Sequence, residues 1–446
     1  MSSDQPLDSS RGEMIRKPKR RTFLKAAGIS GVATMGGLAG CLGDDDDDGD
    51  DDDGVGDADT TDDDDDDDPE ETEILIGGLV PRSGALSALG ETQENGIEVA
   101  VDYINDELGG INGNPVDVII EDTATDPEAG REGASRLVEA EEVDLLVGTV
   151  SGAVAATVAD YAGQQHVPFW PYGGAKNITG ADCNRATFRY STNTVQDARG
   201  AVPWCLDELG DDVWIHYADY AYGQDIAEDF EDEIEAGGGN IAGISSTPIG
   251  TTEFSTYLTE IQNEDPDWVL MGVTGADLIA FVQQAEDFGM KEEMDFFSIN
   301  VTTQDIRQGV GESGVGVYGN VRYFHDWDSE ENDTLVEWYT DAYDQPPTDP
   351  AMVAWTSLIL HTQAAEAAGT LDPDAVIDEL EGLESGSPMG PTEVRACDHQ
   401  ASREIPVGLI NEPDEYDWPS LEILHTTPGE DAMRSCEETG CDMNGS

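Results

Sequence analysis

The chain has 446 residues, with 97 acidic against 20 basic side chains and a net charge of −77. That imbalance repels phosphates and excludes nucleic acid as a partner. The 38% hydrophobic content still supplies the cores of two domains of ordinary size. The acidity is not confined to one tail. Positions 1–73 hold 24 acidic and 7 basic residues, which leaves 73 and 13 beyond them, or −60. After Cys41 the only lysines are Lys176 and Lys291. Such a surface repels itself in dilute buffer. Molar salt screens it, because the Debye length falls to about 3 Å at 1 M. The composition therefore predicts a halophilic protein.

Residues 1–41 read as an export signal. Arg20 and Arg21 sit in Lys19-Arg20-Arg21-Thr22-Phe23-Leu24-Lys25, a twin-arginine pattern. The apolar run Ala26 to Ala39 is too short and too rich in glycine to span a membrane. It ends in Leu38-Ala39-Gly40-Cys41, which has the form of a lipobox and predicts lipidation of Cys41. Residues 42–72 follow as an acidic tether. Asp44–Asp48, Asp50–Asp53 and Asp62–Asp68 are interrupted only by small residues, and like-charge repulsion predicts an extended, disordered spacer.

From Glu73 strands and helices alternate. Ile74–Leu79 reads as a strand, Glu91–Leu108 as a helix, Val116–Ile120 as a strand and Pro127–Glu139 as a helix. Leu145 to Val147 then form a buried strand that runs through a small-residue turn, Gly148 to Gly152, into a helix from Ala153. Ser151 stands where an N-cap belongs, so free N–H groups leave the turn at the carboxyl end of the strand. Such a turn suits a small anion or polar head group. Val167–Tyr172 is a further strand, and Pro168 and Pro171 place it at an edge. A second series follows, with a helix at Val202–Leu209 and strands at Val213–Tyr217, Ile241–Ser246, Trp268–Met271 and Phe296–Ile299. Helices at Gln224–Glu235, Phe254–Ile261 and Ala276–Phe288 separate them. Val315–Tyr323 crosses back. Helices at Glu331–Tyr343, Ala351–Ala368 and Pro373–Leu380 come next, then two strands over Pro391–Ile410 joined by Cys397-Asp398-His399-Gln400. The rhythm predicts an α/β fold of two doubly wound, Rossmann-like lobes. The N-terminal lobe is expected from 73–193 with 325–370, the C-terminal lobe from 194–324 with part of 371–410, and 411–446 is expected to be irregular.

Enzyme signatures are sparse. There is no G-x-S-x-G, Walker loop, H-E-x-x-H or C-x-x-C, the six histidines are scattered, and Ser151 has no base beside it in sequence. No catalytic residue, metal or cofactor is predicted. With Cys41 set aside, five cysteines remain. They allow two disulfides and a free thiol, or five reduced thiols, and spacing does not give the pairing. What remains is a set of turns at the carboxyl ends of strands: Pro81–Leu89, Thr149–Gly152 and Tyr172–Lys176 on one lobe, Ala218–Gly223, Val273–Asp277 and Asn300–Thr303 on the other. If the lobes face each other, these turns converge on one cleft, with Trp170, Tyr172, Tyr220 and Tyr222 placed as apolar walls.

Several segments resemble the type I substrate-binding proteins of ABC transporters, the leucine/isoleucine/valine- and amide/urea-binding group. They are Ile76–Gly84, Gly90–Pro115, Glu121–Pro127, Val147–Ser151, Phe188–Asp197, Tyr220–Gln224 and Gly250–Ser255. The resemblance covers roughly residues 73–410. It implies two lobes joined by a three-strand hinge, closing on a small solute for delivery to a membrane permease. Together with the twin-arginine signal and the lipobox, the expectation is a monomer lipid-anchored at the extracellular face of the membrane. By the same resemblance Ser151, Gly152 and Ala153 in one turn, and Gly173, Gly174 and Ala175 in the next, hold the head group of the solute. Tyr222, Thr274 and Asn300 arrive from the other lobe on closing. Ala175 replaces a threonine usual in leucine binders, Asn300 stands near the family's acidic residue and Thr274 near a tyrosine. A neutral amino acid therefore stays open beside an amide or urea-like solute that needs no counter-ion, with Asp219 or Asp277 as substitutes for the missing charge. Two rivals remain: a ligand-sensing module of the same fold, and an enzyme, which requires a base near Ser151.

Overall fold

A computed structural model of the chain describes residues 73–414 and 416–443. The signal, Arg20, Arg21, Cys41 and the tether lie outside the described residues. The first lobe is built on β1 (Ile74–Val80), α1 (Ser87–Tyr103), β2 (Val116–Asp122), α2 (Pro127–Glu139), β3 (Leu145–Gly148), α3 (Gly152–Gln165) and β4 (Phe169–Pro171). Its four strands are all parallel, in the order β2-β1-β3-β4. β4 is the edge strand, where a proline on each side of Trp170 does least harm to the ladder. Leu145, Leu146 and Val147 in β3 are fully buried, and each contributes about 2 kcal/mol of apolar burial.

The second lobe begins with α4 (Thr194–Glu208), followed by β5 (Asp212–Ala218), α5 (Ala221–Gly237), β6 (Asn240–Thr247), α6 (Ser255–Glu264), β7 (Trp268–Gly272), α7 (Gly275–Asp287), β8 (Asp295–Ser298), α8 (Gln304–Val310) and β9 (Tyr318–Asn320). The chain then returns to the first lobe as α9 (Glu330–Tyr343), α10 (Asp349–Ala368), α11 (Pro373–Leu380) and the two-residue strands β10 (Glu384–Ser385) and β11 (Thr392–Glu393). It ends in the second lobe with β12 (Ile405–Asn411), β13 (Ser420–Thr427) and the single turn α12 (Gly429–Ala432). The second sheet runs β13-β12-β9-β8-β7-β5-β6, parallel from β6 to β9 and antiparallel at β12 and β13.

Two differences from the sequence reading have physical causes. The helix expected at Val202–Leu209 starts at Thr194. Asn193 and Gln196 form a reciprocal capping box there, and Pro203 is carried inside the helix. The segment 411–446 is not irregular throughout. β13 pairs with β12 and buries Leu421, although Glu422 and Leu424 on either side of Ile423 are exposed. Of 371–410, Ile405–Ile410 joins the second lobe, whereas Val376, Ile377, Leu380, Met389, Val394 and Ala401 pack in the core of the first. Two disulfides form, Cys183–Cys441 and Cys397–Cys436, and Cys205 is a buried free thiol.

Candidate functional site

Strand order fixes where the site lies. In the first sheet β1 has β2 on one side and β3 on the other; in the second, β5 stands between β6 and β7. These are the two points where winding reverses, and in open α/β sheets ligands bind outside the carboxyl ends of the strands at such points. The turn after β3 holds Thr149–Ser151. The turns after β5 and β7 hold Asp219–Tyr220 and Val273–Thr274, and Tyr222 stands in the first turn of α5.

The first-lobe turn is built tightly. Gly148 has φ 126° and Thr149 φ 63°. A Cβ on Gly148 would lie 2.3 Å from the Leu79 carbonyl oxygen, so only glycine serves there. The Thr149 hydroxyl donates to the Tyr172 carbonyl at 3.0 Å, which ties this turn to the next. Ser151 is the N-cap of α3, as expected, but its hydroxyl makes no capping bond. The first intrahelical bond runs from Ala155 to Ser151, so the N–H groups of Gly152, Ala153 and Val154 have no partner within the helix. α5, α7 and α8 also start without a side-chain cap, whereas α2, α4, α9 and α11 are capped by Asp126, Asn193, Ser329 and Asp372.

The second turn lies against the first. A Cβ on Gly173 would stand 3.3 Å from the Gly152 Cα, and one on Gly152 3.2 Å from the Ala175 Cβ. Arg189 holds this turn from below, donating to the Gly173 and Ala175 carbonyls at 3.1 and 2.6 Å. Burial lowers the Arg189 pKa to about 9, so the guanidinium stays charged at neutral pH.

The second lobe closes onto this surface. The Tyr222 ring edge lies so near Gly174 that a Cβ there would be 2.8 Å from Cε2. The Tyr222 hydroxyl accepts from Arg322 at 2.8 Å, and the same nitrogen donates to Asp197 at 2.7 Å. Asn300 lies beside the Tyr222 hydroxyl, with its Nδ2 buried. Thr274 sits one step away, its hydroxyl 3.2 Å from that of Tyr220. Burial raises the pKa of Tyr222, which keeps it a neutral phenol. Lys176 spans the lobes, with Nζ 2.7 Å from both Glu228 and Asp229 on α5. The structure therefore brings Ser151, Gly152, Gly173, Gly174, Ala175, Tyr222 and Asn300 together. Ala153 is exposed.

The floor contains residues that the sequence did not single out. Each of the three segments crossing between lobes carries one buried arginine: Arg189, Arg322 and Arg403. Tyr172 donates to Asp349 at 2.6 Å, and the other oxygen of Asp349 has no hydrogen-bond partner. It lies 3.9 Å from Arg403, a loose ion pair. Burial opposes the charge on Arg322, but Tyr222, Asp197, Tyr172 and Asp349 around it raise its pKa well above the ordinary value. The substitutes considered for a missing counter-charge are committed elsewhere: Asp277 accepts from the Gly250 N–H at 2.8 Å and Asp219 from Gln224 at 2.9 Å. Asp349 and Asp197 were illegible because their partners lie 177 and 125 residues away.

Two α/β lobes with apposed switch-point turns define a class of two-lobed clamps. The chain belongs to the periplasmic binding protein family, which it matches over residues 73–414. The "Leu/Ile/Val-binding protein homolog 8" of Brucella abortus is 31% identical over 232 residues, 49% of this chain and 56% of that protein. The chain thus matches only about half the length of such curated relatives. Solved structures match more completely. An amino acid ABC transporter substrate-binding protein from Pseudomonas fluorescens Pf-5 superposes with a TM-score of 0.76 at 25% identity, covering 83% of this chain and 99% of that one. A solute-binding protein of an ABC transporter from Rhodopseudomonas palustris BisB5, solved with 3,4-dihydroxybenzoic acid, gives 0.72 at 21% identity over 80% and 98%.

Proposed function

We propose that this chain is the extracellular solute-binding lipoprotein of an ABC importer, and that it closes on one small polar solute between its lobes for delivery to a permease. The observation that carries this is the contact of Gly174 with Tyr222, where the turns of two switch points meet. Uncapped helix starts on both sides offer N–H groups to a carboxylate or amide oxygen. Ser151, Gly152, Ala153 and the Gly173–Ala175 turn hold the head group, and Tyr222, Thr274 and Asn300 complete the shell on closing. The solute is a neutral or branched-chain amino acid or an amide- or urea-like molecule. Names among its relatives support the carboxylate class, since one is called a Leu/Ile/Val-binding protein and another was solved with a hydroxybenzoic acid. The match to a family of binding proteins supports a binding rather than an enzymatic role. The chain acts as a monomer and needs no cofactor.

Thermal shift in molar salt against leucine, valine, short amides, urea and small aromatic acids tests the reading. Ligands raise the melting temperature by mass action. At least one of these solutes is expected to do so, and none doing so would sink it. The anchor has its own test. The Cys41→Ser variant is expected in the medium, and its staying with the membrane would refute lipidation.

A further inference from the structure

The C-terminal tail leaves the second lobe and ends on the first. α12 packs against α4, the Thr427 hydroxyl donates to the Gly200 carbonyl at 2.7 Å, and Arg199 donates to the Met433 carbonyl at 3.1 Å. All of these partners belong to the second lobe up to Met433. From Arg434 onward first-lobe partners join them, while Glu438 still pairs with Arg199 at 3.4 Å. Arg434 donates to the Lys176 carbonyl at 3.2 Å, and its own carbonyl accepts from Arg395. Cys436 is bonded to Cys397, beside the Val394 and Ala401 core, and Cys441 to Cys183, in the loop that follows β4. The chain thus crosses between the lobes a fourth time, and this crossing ends in two covalent bonds.

We infer that the segment from Gly429 to Cys441 is a strap that limits how far the lobes open. Met433 is held on one lobe and Cys436 is bonded to the other, so only two residues, Arg434 and Ser435, lie between the anchors. Fully extended, the three steps from Met433 to Cys436 span roughly 10 Å. A hinge crossing yields by changing backbone angles over several residues, but this one is stopped by its own length. The strap also bears on the site. It meets the first lobe at the Lys176 carbonyl, directly after the Gly173–Ala175 turn, which Arg189 grips from the other side. A strapped clamp keeps that turn formed between solutes and loses less ordering entropy on closing.

The test uses the full chain without any solute, so its outcome does not depend on the binding reading. Spin labels on p-acetylphenylalanine placed at Asp117 and Asn240, exposed strand positions on opposite lobes, report the interlobe distance by pulsed electron resonance. In the Cys436→Ser/Cys441→Ser variant the distribution is expected to broaden and its mean to lengthen by about 5 Å or more, half the extended span from Met433 to Cys436. A second variant guards against misfolding. Inserting Gly-Gly-Ser between Arg434 and Ser435 keeps both disulfides and lengthens the strap, and it is expected to widen the opening as well. Superimposable distributions for the unaltered chain and the insertion variant, with both disulfides confirmed by mass, would overturn the inference.

Discussion

Gly174 decides whether the lobes meet. Its missing Cβ leaves room for the Tyr222 ring, and the Gly174→Ala change puts a carbon 2.8 Å from Cε2. The variant is expected to fold normally and to bind its solute at least about tenfold more weakly, a loss of about 1.4 kcal/mol. Pairing it with Tyr222→Ala removes the clash, and calorimetry of both variants separates sterics from lost contacts. Arg322 has a different role. Its guanidinium satisfies the buried Asp197 carboxylate and the Tyr222 hydroxyl together. In Arg322→Gln a charge is left unpaired in the interior, and urea unfolding should show a loss of about 3 kcal/mol or more. His216 and His361 set the acid limit. Burial depresses both from 6.5 to about 4. A depressed folded pKa gives stability that is complete above the unfolded value and is lost as pH falls from about 6.5 toward 4, by at most about 3 kcal/mol for each histidine. Unfolding curves across that window should be less steep in pH for His216→Asn.

At the scale of elements, the turn after β3 was legible because its chemistry is local. Gly148 and Gly152 flank a hydroxylic N-cap at the end of an apolar strand, and the structure puts Ser151 at that cap. α2 matched from Pro127 to Glu139 because Asp126 caps it and Pro127 opens it. The α4 start shows the opposite. Pro203 reads as a boundary, yet the capping box ten residues earlier outweighs it. Asn193→Ala should therefore lower stability by about 1 kcal/mol, measurable by thermal unfolding. β13 escaped notice because an edge strand buries only one side chain in two, and its single fully covered residue is Leu421. The tail crossing was out of reach for a combinatorial reason. Two disulfides among five cysteines can be drawn in roughly fifteen ways. The floor of the site was hidden likewise, since Asp349 meets Tyr172 only after the chain has passed through β5 to β9 of the second lobe.

For the whole molecule, charge and closure act together. A body with 73 acidic side chains beyond residue 73 places three of its 13 cations, Arg189, Arg322 and Arg403, inside the lobe crossings. Lys176, one of two lysines beyond Cys41, pairs across the lobes with Glu228 and Asp229. The exterior is thus left to repel itself, and lowering the salt from molar to about 0.1 M extends that repulsion to about 10 Å. The central claim is that the turns around Ser151 and Gly174 form one half of a solute clamp, and Tyr222 and Asn300 the other. Isothermal titration of the purified chain in molar salt against the amino acid, amide and small-acid panel tests it most directly, with Gly174→Ala run in parallel. The account predicts one site per chain for at least one solute, weakened about tenfold or more in the variant. Heat-silent titrations across the panel, or binding that the variant leaves unchanged, would contradict it.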